Sequence, residues 1–294
     1  MTKIAAIIVL FNPKFEHVYS LVASLSTSCD CIILVDNSEN RESKNQKEKY
    51  NCLDKVTYLS LEENKGIALA QNYGFIKAIE LGANYFFTFD QDSTIDYSYV
   101  NDMLKAMNDA QSYSSRIAIL GPTIVNERNG KAYNREIKKG RLICDGLIDV
   151  ESVISSGALI TLEALIYLGM NKSSWFIDLI DIEWCYRARH EGWYVLSTTE
   201  VKMMHNIGLN DINILGLKTF TLCSPFRLYF VYRNWLLAMR EPSFPLRYKI
   251  KRMFVMPMRF LVYAFSDNRL LRIKYMIEGI RDGFIGRSGP YKRK

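Results

Sequence analysis

Through the first half of the chain, short β-branched and aromatic runs alternate with stretches whose apolar positions recur every three or four residues. That alternation predicts an α/β unit with a mostly parallel central sheet. KIAAIIVL (Lys3 to Leu10), CIILVDNS (Cys31 to Ser38), KVTYLSL (Lys55 to Leu61) and NYFFTFD (Asn84 to Asp90) read as strands. Most close on polar or turn-forming residues, and in open α/β sheets ligands gather at such carboxyl ends. Phe15 to Ser28 and Gly66 to Leu81 carry helical spacing and supply crossovers, with Ile67, Ala70, Tyr73, Gly74 and Ala78 on or near one face of the second. RIAILGPTIV (Arg116 to Val125) reads as a fifth strand, and the polar, glycine-punctuated Asn126 to Gly146 as a loop or hairpin. Ser155, Ser156 and Gly157 precede ALITLEALIYLG, Asp178 to Glu191 has helical spacing, and WYVLST reads as a strand.

Beyond Pro225 the pattern becomes aromatic and basic, with helical spacing over Phe226 to Arg240, Leu246 to Phe265 and Arg269 to Ile285. The charge follows this change. The chain of 294 residues carries a net +7, but from Pro225 onward sixteen Lys and Arg face four acids, leaving 22 basic and 27 acidic residues before it. The two parts are therefore +12 and −5, which divides the chain into residues 1–224 and a tail, 225–294. A tail of one sign points to a negatively charged partner, and an anionic membrane surface fits interleaved aromatics and cations such as FRLYFVYRNWLLAMR. Packing of the same faces on the catalytic part or on a second copy of the chain is the competing expectation. No recognition motif accompanies the charge, which argues against nucleic acid. IAAIIVLF is too short to span a bilayer, and six cysteines without a CxxC pair read as reduced thiols of the cytosol.

The chemistry-bearing residues lie at the ends of these elements. Asp90 and Asp92 are two apart on an extended backbone and point the same way, with Gln91 facing away. Mg²⁺ prefers one or two carboxylates plus phosphate oxygens, so the pair suits a metal-diphosphate site, although an isolated DxD is more often a solvated turn. Asp36 ends the second strand, where it either contacts a bound base or ribose or forms an Asx turn. Asn64 and Gly66 open the next helix as a cap, or as a place where backbone approaches ligand. In FIDLIDIEWCYRARHEG, Glu183 and Arg187 are four apart and can pair, and Asp181 near the helix start is either a dipole feature or a general base. His205 is one of three histidines and a possible metal or diphosphate ligand.

Together IIVLFNP, LVDNS, ENKGIALAQNYG, FTFDQDS and FIDLIDIEWCYRARHEGW resemble, in order and spacing, the family 2 inverting glycosyltransferases with the GT-A fold, most of all the bacterial rhamnosyltransferases. The resemblance runs from Lys3 to about His205. It implies a GT-A fold with a central mostly parallel sheet flanked by helices, and a C-terminal helical segment. It implies donor contacts at Asn12, Asp36, Asn64, Gly66 and Asp90, metal ligands at Asp90, Asp92 and His205, and Asp181 as catalytic base. Acceptor contacts are implied at Gly157, Glu183 and Trp184. Where the family usually has Glu-Asp this chain has Ile180-Asp181, which leaves Asp178 and Glu183 as rivals for the base. The implied activity is inverting transfer of a sugar to a lipid-linked cell-surface glycan at the inner face of the cell membrane, with Mg²⁺ or Mn²⁺. The sugar implied is L-rhamnose from dTDP-L-rhamnose. Galactofuranose or a hexose, or a binding protein without turnover, are the alternatives. A nucleotidyltransferase would need a basic phosphate loop near its start, and none is seen.

Overall fold

A computed structural model describes residues 2–39, 48–126, 130, 137–204, 210–214 and 218–292. Strict alternation along β1 (Ile4–Leu10) sends Ala6, Ile8 and Leu10 to one face of the sheet and Ala5, Ile7 and Val9 to the other. Both sets are buried, so helices must cover both faces. One face carries α1 (Phe15–Ser26) and α3 (Tyr99–Tyr113). The other carries α2 (Ile67–Glu80), α4 (Leu162–Leu168) and α5 (Ile180–His190). The sequence pattern does not announce α3. Val100, Met103, Met107 and Ala110 do recur at helical spacing there, and the expectation above overlooks them.

Around β1 lie β2 (Cys31–Asp36), β3 (Val56–Ser60) and β4 (Tyr85–Asp90), all parallel, in the order β3-β2-β1-β4. Beyond β4 the sheet continues through β8 (Ala158–Thr161), β5 (Ile117–Val125), β9 (Tyr194–Met204), β7 (Leu147–Asp149) and β6 (Arg141–Cys144). β8 runs antiparallel to both β4 and β5, which makes the nine-stranded sheet mixed where a mostly parallel one was expected. The apolar run ALITLEALIYLG thus holds two elements, because the Thr161 side chain accepts from the Ala164 N–H and caps α4 at that point. β6 and β7 form a hairpin that turns at Asp145-Gly146, at the end of the expected loop or hairpin and continuing past it, although much of Asn126 to Gly146 lies outside the described residues. A separate two-stranded ribbon pairs β10 (Asn210–Ile214) with β11 (Lys218–Leu222).

Three helices complete the chain: α6 (Pro225–Arg240), α7 (Leu246–Ala264) and α8 (Arg269–Phe284). The segment FRLYFVYRNWLLAMR, expected in a membrane interface, is α6 and is largely buried. Leu228, Tyr229, Phe230, Tyr232, Arg233, Asn234 and Trp235 are each at most 2% exposed. The Arg233 guanidinium stacks on Tyr229 and Phe230, so the aromatic-basic pattern is satisfied inside the protein. α8 lies against α6 through Gly279 and Gly283, and the buried Asp282 accepts from the Tyr229 hydroxyl at 2.8 Å.

A Cβ at Gly279 would collide with the Tyr229 carbonyl, a backbone atom that cannot move without separating the helices. Gly279→Ala should therefore lose about 1–2 kcal/mol, overpacking outweighing the gain in helix propensity. A thermal melt beside the exposed control Lys274→Ala reads this, and an unchanged midpoint would contradict the close contact.

Candidate active site

The parallel half of the sheet delivers two carboxylates to one edge. In register, Leu10 of β1 pairs with Asp36 and Val9 with Asp90, so the two acids end the strands on either side of β1. The chain turns after β1 with Asn12 in the left-handed region at φ 47°. Two braces hold that turn: the Asn12 N–H donates to Ser38 Oγ at 2.8 Å, and the Gln91 amide bonds both the N–H and the carbonyl of Phe11. β4 ends at Asp90 and the Ser93 N–H donates to the Asp90 carbonyl at 3.1 Å, so Gln91 and Asp92 form a turn where an extended backbone was expected, and Gln91 ties that turn to β1.

Asp36 is 2% exposed, and its two oxygens accept from the Tyr58 hydroxyl and the Ser38 N–H. It forms the Asx-type turn. Asn37 continues the network. Its Oδ1 accepts from the Lys65 N–H at 2.7 Å and its amide donates to Asn64 Oδ1, which also accepts from the Gly66 N–H. Asn64 is therefore not the helix cap. That position is Gly66, at φ 84°, where any Cβ would fall 2.6 Å from Phe176. The close approach that requires glycine here is made by this chain's own Phe176.

Asp90 is half-buried and Asp92 exposed at the head of β4. Ser156 Oγ accepts from the Asp90 N–H at 3.2 Å and meets Ser93 Oγ at 2.9 Å, while the Gly157 N–H donates to the Thr88 carbonyl at 2.7 Å. An isolated bridge pairs Thr94 with Met204, bringing the end of β9 beside the DQD turn. His205 lies outside the described residues.

The same loop reaches Asp181. The backbone of Ser155 hydrogen-bonds the Asp181 carboxylate, and the Ile182 N–H donates to its Oδ1 at 2.8 Å. Burial pushes the Asp181 carboxyl up to about 6, the Asp178 charge adds to the rise, and these N–H groups oppose it. The rival acids are neutralised differently. Asp178 accepts Arg227 Nε at 2.9 Å on both oxygens. Glu183 is fully buried and paired with Arg187 at 2.9 Å and Lys172 at 3.4 Å.

The three acceptor expectations meet the same obstacle. Glu183 is held in that ion pair, Trp184 is buried and donates its indole N–H to the Gly169 carbonyl, and Gly157 is enclosed by Tyr99 and Met203. Glu183 and Trp184 lie on the buried side of α5, and Gly157 is buried on the loop that leads into β8.

Sequence reasoning missed the contribution of α6. Phe176, Asp178 and Leu179 all have positive φ, at 67°, 66° and 62°, just before α5. Three non-glycine residues in that region within four positions are strained. The Asn234 amide donates to the carbonyls of Trp175, Ile177 and Asp178 at 2.8–3.0 Å, and Arg233 donates to Trp175. The clue was the density of hydrogen-bonding side chains in YRNW, in a helix otherwise aromatic.

A sheet of this topology, with carboxylates at adjoining strand ends and a separate half-buried carboxylate at a helix start, is that of a GT-A glycosyltransferase. The Glycosyl transferase family 2 model matches residues 6–166, and the chain belongs to that family. It is 30% identical over 297 residues to the dTDP-rhamnosyl transferase RfbF of Shigella flexneri, with 98% of this chain and 97% of that protein covered. Among solved structures it is similar to GalNAc-T7, crystallised with UDP, GalNAc and Mn²⁺, at a TM-score of 0.57 and 15% identity. That match covers 92% of this chain and 58% of the other, and shows the fold.

Asn234→Ala removes the shared donor from three carbonyls, at a cost of about 1–3 kcal/mol for buried groups left unpaired. Amide exchange at Ile182 and Glu183, which open α5, should accelerate more than at β1. Uniform acceleration across both elements would mean that the residue supports only global stability.

Proposed function

We propose that this glycosyltransferase moves L-rhamnose from dTDP-L-rhamnose to a lipid-linked cell-surface glycan at the inner face of the cell membrane, inverting the anomeric centre by direct displacement. The near-full-length likeness to a dTDP-rhamnosyl transferase supports the donor. The observation that carries the chemistry is the contrast among three acids within six residues. Asp178 and Glu183 are held by cations, while Asp181 is bonded by backbone N–H groups and raised to about 6. A carboxylate of that basicity is mostly charged at neutral pH and still accepts a proton readily.

In the reaction an acceptor hydroxyl oxygen attacks the anomeric carbon on the side opposite the diphosphate. As the new C–O bond forms, the bond to the diphosphate breaks and the hydroxyl proton passes to Asp181. Donor nucleotide lies along the turn built by Asn12, Asp36, Asn37, Asn64 and Gly66. Asp90 and Asp92 would hold Mg²⁺ or Mn²⁺, with His205 as a further ligand. The hard-oxygen donor set fits, since such ions take one or two carboxylates and complete their shells with phosphate and water. Bound there, the ion supplies charge stabilisation to the departing diphosphate.

A panel of nucleotide-sugars with a lipid-linked acceptor, with and without chelator, tests the reading through product mass and anomeric NMR. dTDP-L-rhamnose should give an inverted product, and turnover of another donor alone would overturn the sugar. Asp92→Asn and excess chelator should each reduce transfer by about a hundredfold or more. Undiminished turnover in chelator would end the metal assignment.

The base can act only as the carboxylate, so kcat/KM should fall about tenfold per pH unit below about 6, where Asp181 becomes protonated. Asp181→Asn should lose about 10²–10⁴-fold in transfer while retaining donor affinity. Near wild-type turnover in that variant, with Asp178→Asn inactive, would move the base to Asp178.

A further inference from the structure

Among the described residues no helix is long and apolar enough to cross a membrane. Yet α7 leaves one whole side uncovered. Tyr248, Arg252, Met256, Arg259 and Tyr263 recur at helical spacing on its inner side, where the guanidinium groups of Arg252 and Arg259 stack on Trp235 of α6 at 5.0 and 5.6 Å. The opposite side runs Leu246, Ile250, Phe254, Leu261 and Phe265, exposed by 71%, 46%, 74%, 60% and 85%, with Met253 and Met258 alongside. Leu270, 78% exposed, continues the row onto the start of α8.

The usual order is reversed: Arg252 and Arg259 point inward and large apolar side chains outward. Single exposed apolar residues need no explanation, but a row along five turns marks a contact surface. Charge decides what covers it. α7 holds five basic residues and no acid, and Arg247 and Lys251 lie on the exposed side of the row, Arg247 reaching Glu151. A second copy of the chain would bring an equally basic face with no carboxylate on the helix to meet it. An anionic lipid surface meets both features at once, its headgroups the cations and its acyl boundary the apolar row.

We propose that the outer side of α7 docks the enzyme on an anionic membrane, lying in the interface plane with Phe254, Leu261 and Phe265 inserted. The inference extends the reading that the acceptor is lipid-linked, and it replaces α6 with α7 as the membrane-facing element.

The test is co-sedimentation of the full chain with phosphatidylglycerol/phosphatidylcholine vesicles and with phosphatidylcholine vesicles, at low and high salt. Wild type should bind the anionic vesicles preferentially, with salt removing part of the binding as screening shortens to about 3 Å at 1 M. The triple variant Phe254→Ser, Leu261→Ser, Phe265→Ser should bind about tenfold more weakly or worse. Its donor hydrolysis in vesicle-free solution should stay at the wild-type level, since none of the three lies near the strand ends. Because the four native tryptophans are buried, Phe254→Trp adds a solvent-exposed fluorophore whose emission should shift blue and be quenched by brominated lipid. That reading does not depend on the triple variant's folding. Binding by the triple variant equal to wild type, no lipid quenching of Phe254→Trp, or a wild-type dimer that the triple variant converts to monomer would each overturn the proposal. Transfer to lipid-linked acceptor without vesicle binding would sink the docking and leave the function. Vesicle binding without turnover of any donor would do the reverse.

Discussion

Three consecutive residues, Ser155, Ser156 and Gly157, hold the two halves of the site together. The Ser156 hydroxyl bonds the Asp90 N–H and Ser93, the Gly157 N–H reaches back to β4, and the Ser155 backbone bonds Asp181. The DQD turn and Asp181 are thus separated by one residue and two hydrogen bonds. Each link spans about 3–4 Å, and neither side can drift without breaking one. The segment can do this because β8 enters the sheet antiparallel between β4 and β5, so its first residues arrive where β4 ends. Gly157, at φ 77° with Tyr99 and Met203 against its α-carbon, is the hinge of that entry. A side chain there would meet the Tyr99 hydroxyl that bonds the Gly157 carbonyl at 2.8 Å.

The C-terminal helices are structurally part of the same site. A turn with three left-handed residues costs of order 1–2 kcal/mol for each and persists only where its surroundings impose it. Here the imposition comes from α6, whose Asn234, Arg233 and Arg227 all bond residues 175–178. A guanidinium as deeply buried as Arg233 would be costly alone. Carbonyls of Trp175 and Gly289, the Asn234 oxygen and two ring faces surround it, and burial draws its pKa down without removing its charge. The basic tail is in this part a structural scaffold, with its excess charge left to α7 and the residues after it.

What could be read in the sequence follows from which physical rules are local. The strand runs are legible because side-chain direction along a strand repeats every two residues, whereas Gln91 and Asp92 lie in a turn beyond β4, where that rule no longer holds. The Glu183 to Arg187 pair is legible for the same kind of reason, since residues four apart lie on one helix face. The inward direction of Trp184, the enclosure of Gly157 and the antiparallel insertion of β8 were not legible, because each depends on which face of an element meets the sheet. α6 misled for a sharper reason. Arg among Tyr and Phe is the composition of a membrane interface and equally of buried cation–π stacking, and only the tertiary partner tells them apart.

The same distinction between local and tertiary causes explains why three neighbouring acids meet different partners. Asp178, Asp181 and Glu183 share a segment, a helix start and similar intrinsic acidity. A helix N-terminus by itself would favour the charged form of each. Their partners separate them: Arg227 binds Asp178 at both oxygens, and Arg187 with Lys172 enclose Glu183. Asp181 has oriented N–H groups from Ser155 and Ile182 in a buried setting, so its oxygens are aimed without being neutralised, and the adjacent Asp178 charge raises its basicity further. The turn that α6 clamps therefore does two things through one set of contacts. It places Asp181 against the serine loop, and it commits Asp178 to Arg227.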